Sequence, residues 1–234
     1  MASPLTLEML RLLAADRADM LKYTAGVADL SDFLNEGSFT YAVNAELAAL
    51  WDHLITSYED YAIKRLPMTL NATQEQYNLP ADFYKLRKVF PVLSNGRGAP
   101  LRKFDLEEMG AETSSVLIVG TEVRQLRYRV MGNRLFFFPV PSNAADIELW
   151  YVPQYQPIAN DKDLIDFRFP TGWEDYVVEG VAARALEKEE SDSTHCRMAQ
   201  QQILQRILAS VQDRDVGEPA GMIDVEGYDW RQYD

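Results

Sequence analysis

The sequence predicts an α+β protein: both chain ends build a helical bundle, an antiparallel β domain is inserted between them, and an extended tail closes the chain. Three observations lead there. Apolar residues recur at helical spacing to about residue 60, at strand spacing through the middle, and at helical spacing again after Pro170. The run "QLRYRVMGNRLFFFPV" is a hairpin signal, with Gly132-Asn133 as a two-residue turn between strands. The charge divides along similar lines: residues 1–60 carry −7, residues 61–134 carry +5 and residues 135–234 carry −11, within a total of −13. The expected division is 1–60 with 168–212 as a discontinuous helical domain, 61–167 as a β-rich domain, and 213–234 as an acidic, aromatic tail.

Each element is read from local pattern. Leu7, Leu10, Leu13 and Leu21 suggest a first helix from about Leu5 to Leu21, and Gly26 and Ser31 punctuate the interval before the second. "SFTYAVNAELAALWDHLITSYEDY" reads as that second helix, with Ser38 as N-cap and Phe39, Val43, Leu47, Leu50 and Leu54 as its apolar stripe. Tyr61, Ile63 and Leu66 open a strand-like run. "KLRKVFPVL" is β-compatible and "SNGRGAP" turns the chain after it. "DLEEMGAE" reads as a short helix. In the hairpin, Leu126, Tyr128 and Val130 alternate with Gln125, Arg127 and Arg129. "DIELWYVPQY" then places Ile147, Leu149 and Tyr151 on one face and Glu148, Trp150 and Val152 on the other; with the hairpin it predicts a three-stranded antiparallel meander.

Beyond Pro170, Thr171 and Glu174 read as a capping box for a helix with Trp173, Val177, Gly180 and Val181 on one side. A glycine inside a helix costs about 1 kcal/mol relative to alanine, so Gly180 predicts close approach of another backbone. Asp192-Ser193-Thr194 restarts a helix whose stripe is Ala199, Ile203, Ile207 and Val211, completing an αα-hairpin.

The totals exclude several classes. One cysteine, Cys196, allows no internal disulfide, and no run approaches the ~18 apolar residues of a membrane helix. The N-terminal apolar stretch is interrupted by Glu8 and Arg11 and does not read as a signal peptide. A strongly acidic chain does not bind along nucleic-acid phosphates with high affinity. The basic middle and acidic ends fit complementary surfaces between subunits or partners, and equally two domains with ordinary solvated faces.

The catalytic inventory is thin. HExxH, CxxC, GxSxG and GxxxxGK[ST] are absent. His53 and His195 have no Cys or His at ligand spacing, and Cys196 beside His195 points some 100° away on a helix. Asp161, Asp163 and Asp166 resemble a fragment of a calcium loop without its glycine and distal glutamate. No catalytic, cofactor-binding or metal-binding residue is therefore assigned. A hydrolase assembled from distant carboxylates stays open, as does a glycan- or protein-binding module built on Trp150 or Trp230. The residues that stand out are contact candidates: Lys85, Arg87 and Lys88 in "FYKLRKVF", Arg127 and Arg129 in "RQLRYRV", and Tyr228, Trp230 and Tyr233 in the tail. Basic residues interleaved with aromatics can bind single-stranded nucleic acid, but the same alternation describes an ordinary half-buried strand.

Four pieces occur in order: "YNLPADFYKLRKV", "YRVMGNRLFFFPVP", "IELWYVPQY" and "FPTGWEDYVVEGVAARALEKEESD". Together, over roughly residues 30–212, they resemble the head–tail connector proteins of tailed bacteriophages, in particular the adaptor group that includes tail tubular protein A. The resemblance implies a virion structural protein of the neck, made in the host cytoplasm, without catalysis or cofactor. Its partners would be itself, as a ring of typically twelve copies; the portal protein; a downstream tail or nozzle protein; and passing double-stranded DNA, held without sequence specificity. An acidic wall suits that conduit, because a repelled duplex slides without sticking.

Overall fold

The structure, a computed structural model, describes residues 6–24, 27–30, 36–94, 96–107, 126–160 and 172–212. Among these the chain is mixed α+β, with four α-helices and ten β-strands. Gly26, Ser31, Gln125, Thr171, most of the "DLEEMGAE" helix, the Asp161–Asp163–Asp166 loop and the tail with Tyr228, Trp230 and Tyr233 lie outside the described residues.

The first helix is shorter than its leucines predict. α1 spans Leu7–Arg17 and is capped by Thr6, whose hydroxyl accepts from the Met9 N–H at 3.3 Å. It ends because Asp19 adopts φ +58°, so that Met20 N–H reaches the Ala15 carbonyl at 2.8 Å and Asp19 N–H the Asp16 carbonyl at 3.0 Å. That is a Schellman stop built on an aspartate instead of the usual glycine. Leu21 falls in a strand instead: β1 (Leu21–Thr24) pairs antiparallel with β2 (Val27–Leu30). Leu13 is 44% exposed and does not join the core, whereas Leu7 and Leu10 do.

α2 spans Glu36–Ser57, so Ser38 sits inside its first turn and is not the cap. Its predicted stripe of Phe39, Val43, Leu47, Leu50 and Leu54 is buried throughout. α3 (Glu174–Lys188) begins after Trp173, which makes no side-chain cap; Glu174 instead accepts from the Gly172 N–H. α3 stops as α1 does, on an acid in the left-handed region, Glu190 at φ +57°, with Ser191 N–H to the Leu186 carbonyl at 2.9 Å. Asp192 accepts from the Thr194 N–H at 2.9 Å as α4 (Thr194–Gln212) starts. Apolar side chains of all four helices share one cluster.

The strands form two four-stranded sheets. One has the order β3 (Lys64–Leu70), β10 (Ala145–Pro153), β5 (Phe83–Leu93), β6 (Gly96–Arg97). The other has the order β4 (Gln76–Asn78), β9 (Arg134–Phe138), β8 (Arg127–Met131), β7 (Arg102–Lys103); its β7–β8 pair is parallel and the rest are antiparallel. Leu70, Val89, Ile147 and Leu149 of the first sheet share a core with Tyr77, Tyr128, Leu135 and Phe137 of the second.

The β8–β9 hairpin turns on Gly132-Asn133, with Met131 opposite Arg134 and Gly132 at φ +59°. A positive φ at the first turn residue alone is the type II′ arrangement, for which glycine is suited. The predicted meander does not continue. β10 leaves β9 and enters the other sheet between β3 and β5. Pro139 and Pro141, which supply no N–H to a ladder, stand where the chain changes sheets. The faces of β10 are as expected: Ile147, Leu149 and Tyr151 are buried in the strand core. Val152 on the opposite face is also fully buried, because it packs against α2.

Candidate interaction surfaces

The stretch 79–83 ties the strands together. The Pro80 carbonyl accepts from the Phe83 N–H at 3.0 Å, closing the turn, and the buried Leu79 donates its N–H to the Asn133 carbonyl at 3.3 Å. Asp82 accepts from Lys64 Nζ at 2.6 Å with one carboxylate oxygen and from the Tyr151 hydroxyl at 2.9 Å with the other. The Lys64 hydrogen bond holds the Asp82 carboxyl below the ordinary carboxylate range. Burial, followed by the hydrogen bond to Asp82, pushes the Tyr151 hydroxyl up to about 12. Phe83 stacks on Tyr151 at 5.9 Å. The turn thus fixes β3, β5 and β10 to one another.

Lys85 and Arg87 face the acidic end of α2. Lys85 pairs with Glu59, and Arg87 pairs with Glu59 and with Asp60 at 2.7 Å. A register shift between β5 and β10 leaves Arg87 as the extra residue between Leu86, opposite Tyr151, and Lys88, opposite Trp150. That bulge lets Lys85 and Lys88 both point away from the strand core despite their three-residue spacing, and Lys88 is exposed. Trp150, beside it, is not an open platform: Arg65 from β3 lies 4.3 Å from its ring centroid and Arg97 from β6 lies 4.8 Å from it. Phe90 packs against it at 4.9 Å. Two guanidinium groups and the Phe90 ring therefore crowd the Trp150 indole.

Arg129 donates to the Phe104 carbonyl at 3.1 Å and lies 3.6 Å from Asp105. The fold brings it together with Lys85, from a distant segment, in a cleft of about 460 Å³ that also takes in Tyr84, Lys103 and Phe104. Arg127 sits on β8 opposite Arg102 and does not line this cleft. A second cleft, about 550 Å³, lies between the start of α2 and the end of α3, beside Tyr41, which is 74% exposed.

Sequence reasoning missed two polar constructions. Asn44 accepts the Ile158 N–H at 2.8 Å, donates to the Ile158 carbonyl at 2.9 Å, and accepts from the Tyr155 hydroxyl at 3.1 Å. It straps the segment after β10 along α2. Close by, Trp51 Nε1 donates to the Pro153 carbonyl at 3.1 Å, and Trp51, Ile55 and Val152 form a separate apolar cluster at the junction. The second construction is buried between helices: Glu46 accepts from Gln200 Nε2 at 2.6 Å and from Arg184 Nε. Gly180 faces this pair, and a Cβ there would lie 2.3 Å from Gln200 Nε2 and 2.5 Å from Glu46 Oε2. The close neighbours that Gly180 accommodates are two buried side chains, not the backbone that the sequence suggested. The signal was available: Glu46 lies at helical spacing between Val43 and Leu50, on the buried stripe.

Cys196 is buried while His195 is exposed, so adjacency on α4 does not pair them. Burial raises the Cys196 thiol above its ordinary range, away from a reactive thiolate. Among the described residues no group of three or more His, Cys, Asp and Glu side chains could hold a metal ion. None of the described helices is long and apolar enough to cross a membrane.

Fold and surface define a mixed α+β protein whose conspicuous surface features are charged and aromatic side chains. A family model described as SU10 adaptor protein matches residues 7–223. The chain belongs to that family, a family of phage head–tail adaptors, and is by that membership a structural component of the virion. The match extends beyond the 30–212 span of the sequence resemblance at both ends. No curated protein matches the chain.

Proposed function

We propose that this chain is the head-to-tail adaptor that forms a ring beneath the portal, of twelve copies by the resemblance to connector proteins, joins the DNA-filled head to the tail, and lines the DNA exit channel. The observation that carries the reading is the family match over residues 7–223. In this reading residues 1–60 and 168–212 form the ring body, the inserted 61–167 unit projects toward the next tail or nozzle protein, and the acidic-aromatic tail reaches the portal or a neighbouring subunit. The exposed cations Lys88 and Lys103, with Lys85, Arg87, Arg127 and Arg129, meet acidic surfaces of neighbours. The net charge of −13 supports passage of a duplex without sticking. The test is quantitative mass spectrometry of intact particles, with this chain measured against the portal protein. A near-equal ratio at ring-sized copy number is expected. A much higher copy number moves the protein to the tail tube or capsid surface, and absence from mature particles refutes the virion reading.

A further inference from the structure

We infer that copies of this chain meet head to tail, with the outer face of α1 on one copy seated against the outer face of α4 on the next. The inference rests on the ring reading and names the two surfaces that would close the ring. Each helix has one side committed to its own core: Leu7, Leu10 and Ala14 of α1, and Cys196, Ile207 and Val211 of α4. The opposite sides are open. On α1, Met9 and Leu13 are 41% and 44% exposed, exposed Asp16 follows them at helical spacing, and exposed Glu8 adjoins Met9. On α4, Met198 is 58% exposed and heads a stripe of exposed Gln202, Gln205 and Ala209, with exposed Arg206 at its edge.

Composition sets α4 apart. Its 19 residues hold no acid, in a chain whose net charge is −13. A face of methionine, amides and one arginine matches the make-up of interface centres, where Met and Arg are enriched and Lys, Glu and Asp are depleted. Charge then selects the occupant. Arg206 donates to the Gly172 carbonyl at 3.2 Å and has no carboxylate partner among the described residues; Glu8 and Asp16 likewise have no cation partner there. Two α1 faces in contact would set carboxylates against carboxylates, and two α4 faces would set arginine against arginine. Only α1 against α4 brings the acids to the arginine and the amide donors, with Met9 and Leu13 meeting Met198. α3 packs along both helices, which do not pack along each other, so the two faces are separate surfaces of one chain. Two different surfaces that fit one another make a heterologous contact, and such contacts close into a ring when the rotation allows.

The test is cross-linking in intact particles assembled with variant chains. Leu13→Cys and Gln202→Cys are combined in one chain and treated with a short bis-maleimide; both positions are exposed, and the native Cys196 is buried. The pair should give a ladder of linked chains, and either cysteine alone should give none. In the paired chain, Arg206→Glu should cut the linked fraction several-fold, and adding Asp16→Lys should restore it. Dimers from a single cysteine would show like faces in contact and overturn the inference. So would linkage of either cysteine to another virion protein in place of this chain. An unlinked pair in particles that hold the chain at ring-sized copy number would overturn the inference and leave the ring reading standing. Absence of the wild-type chain from particles would overturn the ring reading, and the inference with it.

Discussion

Replacing Gly180 by alanine tests whether the buried Glu46–Gln200 pair, and not helix propensity, decides the stability of the helical cluster. On propensity alone Gly180→Ala should stabilise α3 by about 1 kcal/mol. The structure predicts the opposite. The new methyl carbon would lie 2.3 Å from Gln200 Nε2 and 2.6 Å from Glu46 Cδ. These are the ends of flexible side chains, but they have nowhere cheap to go. Glu46 and Gln200 are 3% and 7% exposed, and the carboxylate is held by both Gln200 and Arg184. Displacing Gln200 removes a hydrogen bond to a charged group, worth about 1.5–3 kcal/mol. Overpacking adds a cost of about 1–3 kcal/mol. With the propensity gain subtracted, the variant should lose about 1.5–5 kcal/mol, a fall in Tm of roughly 3–20 °C for a chain of this size. Thermal unfolding followed by the helical circular dichroism signal measures it. Adding Gln200→Ala to Gly180→Ala makes room for the methyl, so the two substitutions should cost less together than the sum of each alone. A Gly180→Ala variant at or above the wild-type Tm would refute the argument and leave Gly180 without a structural reason.

Four further expectations use the same structure, and a fifth concerns the tail. Glu190→Gly should raise stability by about 1 kcal/mol, because glycine takes the left-handed conformation that the glutamate occupies at φ +57°; an unchanged Tm in thermal unfolding counts against the Schellman stop. Trp51→Phe should cost about 1–3 kcal/mol, since the Pro153 carbonyl loses its buried donor, and should quicken proteolysis between β10 and α3. For Asp82 the folded pKa lies below its unfolded value, so its contribution is present above about pH 4 and is lost as pH falls through the folded pKa. Asp82→Asn should therefore flatten the acid limb of a stability–pH profile. Tyr151 has the opposite sign: its folded pKa of about 12 lies above the unfolded value, so its contribution holds below about pH 10 and is lost as pH rises through 12. Ultraviolet titration of Tyr151→Phe should lack one of the most alkaline tyrosine steps. Deletion of residues 215–234 should spare the fold and weaken assembly, and unchanged assembly of the shortened chain on portal-bearing particles would remove the tail from the adaptor mechanism.

Where local chemistry decided the structure, the sequence showed it. The α2 stripe, the Gly132-Asn133 hairpin and the alternation of β10 depend on residues close in sequence, and each is legible as a period or a turn. The errors arise where one residue stands in for another or a partner is remote. Asp19 stops α1 in a conformation usually given to glycine, so the helix reads too long and the β1–β2 hairpin is hidden. β10 pairs with β3 and β5, and Leu70, Val89, Ile147 and Leu149 of these three strands turn to the same side, onto the core shared with the other sheet; proximity to β9 in sequence argued for the wrong neighbour. The contact candidates show the same limit. Lys85, Arg87 and Lys88 are close in sequence, yet a bulge and two acids after α2 divide them between an internal ion-pair network and an exposed face.

The junction bears on how such a chain could transmit force if it sits between a head and a tail. The chain passes between the helices and the two four-stranded sheets twice, from α2 into β3 and from β10 toward α3. Each passage is pinned independently. Glu59 and Asp60, just after α2, are held by Lys85 and Arg87 on β5. The segment after β10 is held by Trp51 through Pro153 and by Asn44 through Ile158. The first set is exposed and ionic, and exposed pairs contribute at most about 1 kcal/mol each and weaken with salt. The second is neutral: the Asn44 bonds are part-buried, and the Trp51 bond is buried beside Val152, which is fully buried. High salt should therefore loosen the Glu59–Asp60 side first while the Trp51 side holds. A hinge under ionic control would then sit at residues 58–63, and hydrogen exchange there should rise with salt while exchange at 152–158 stays constant.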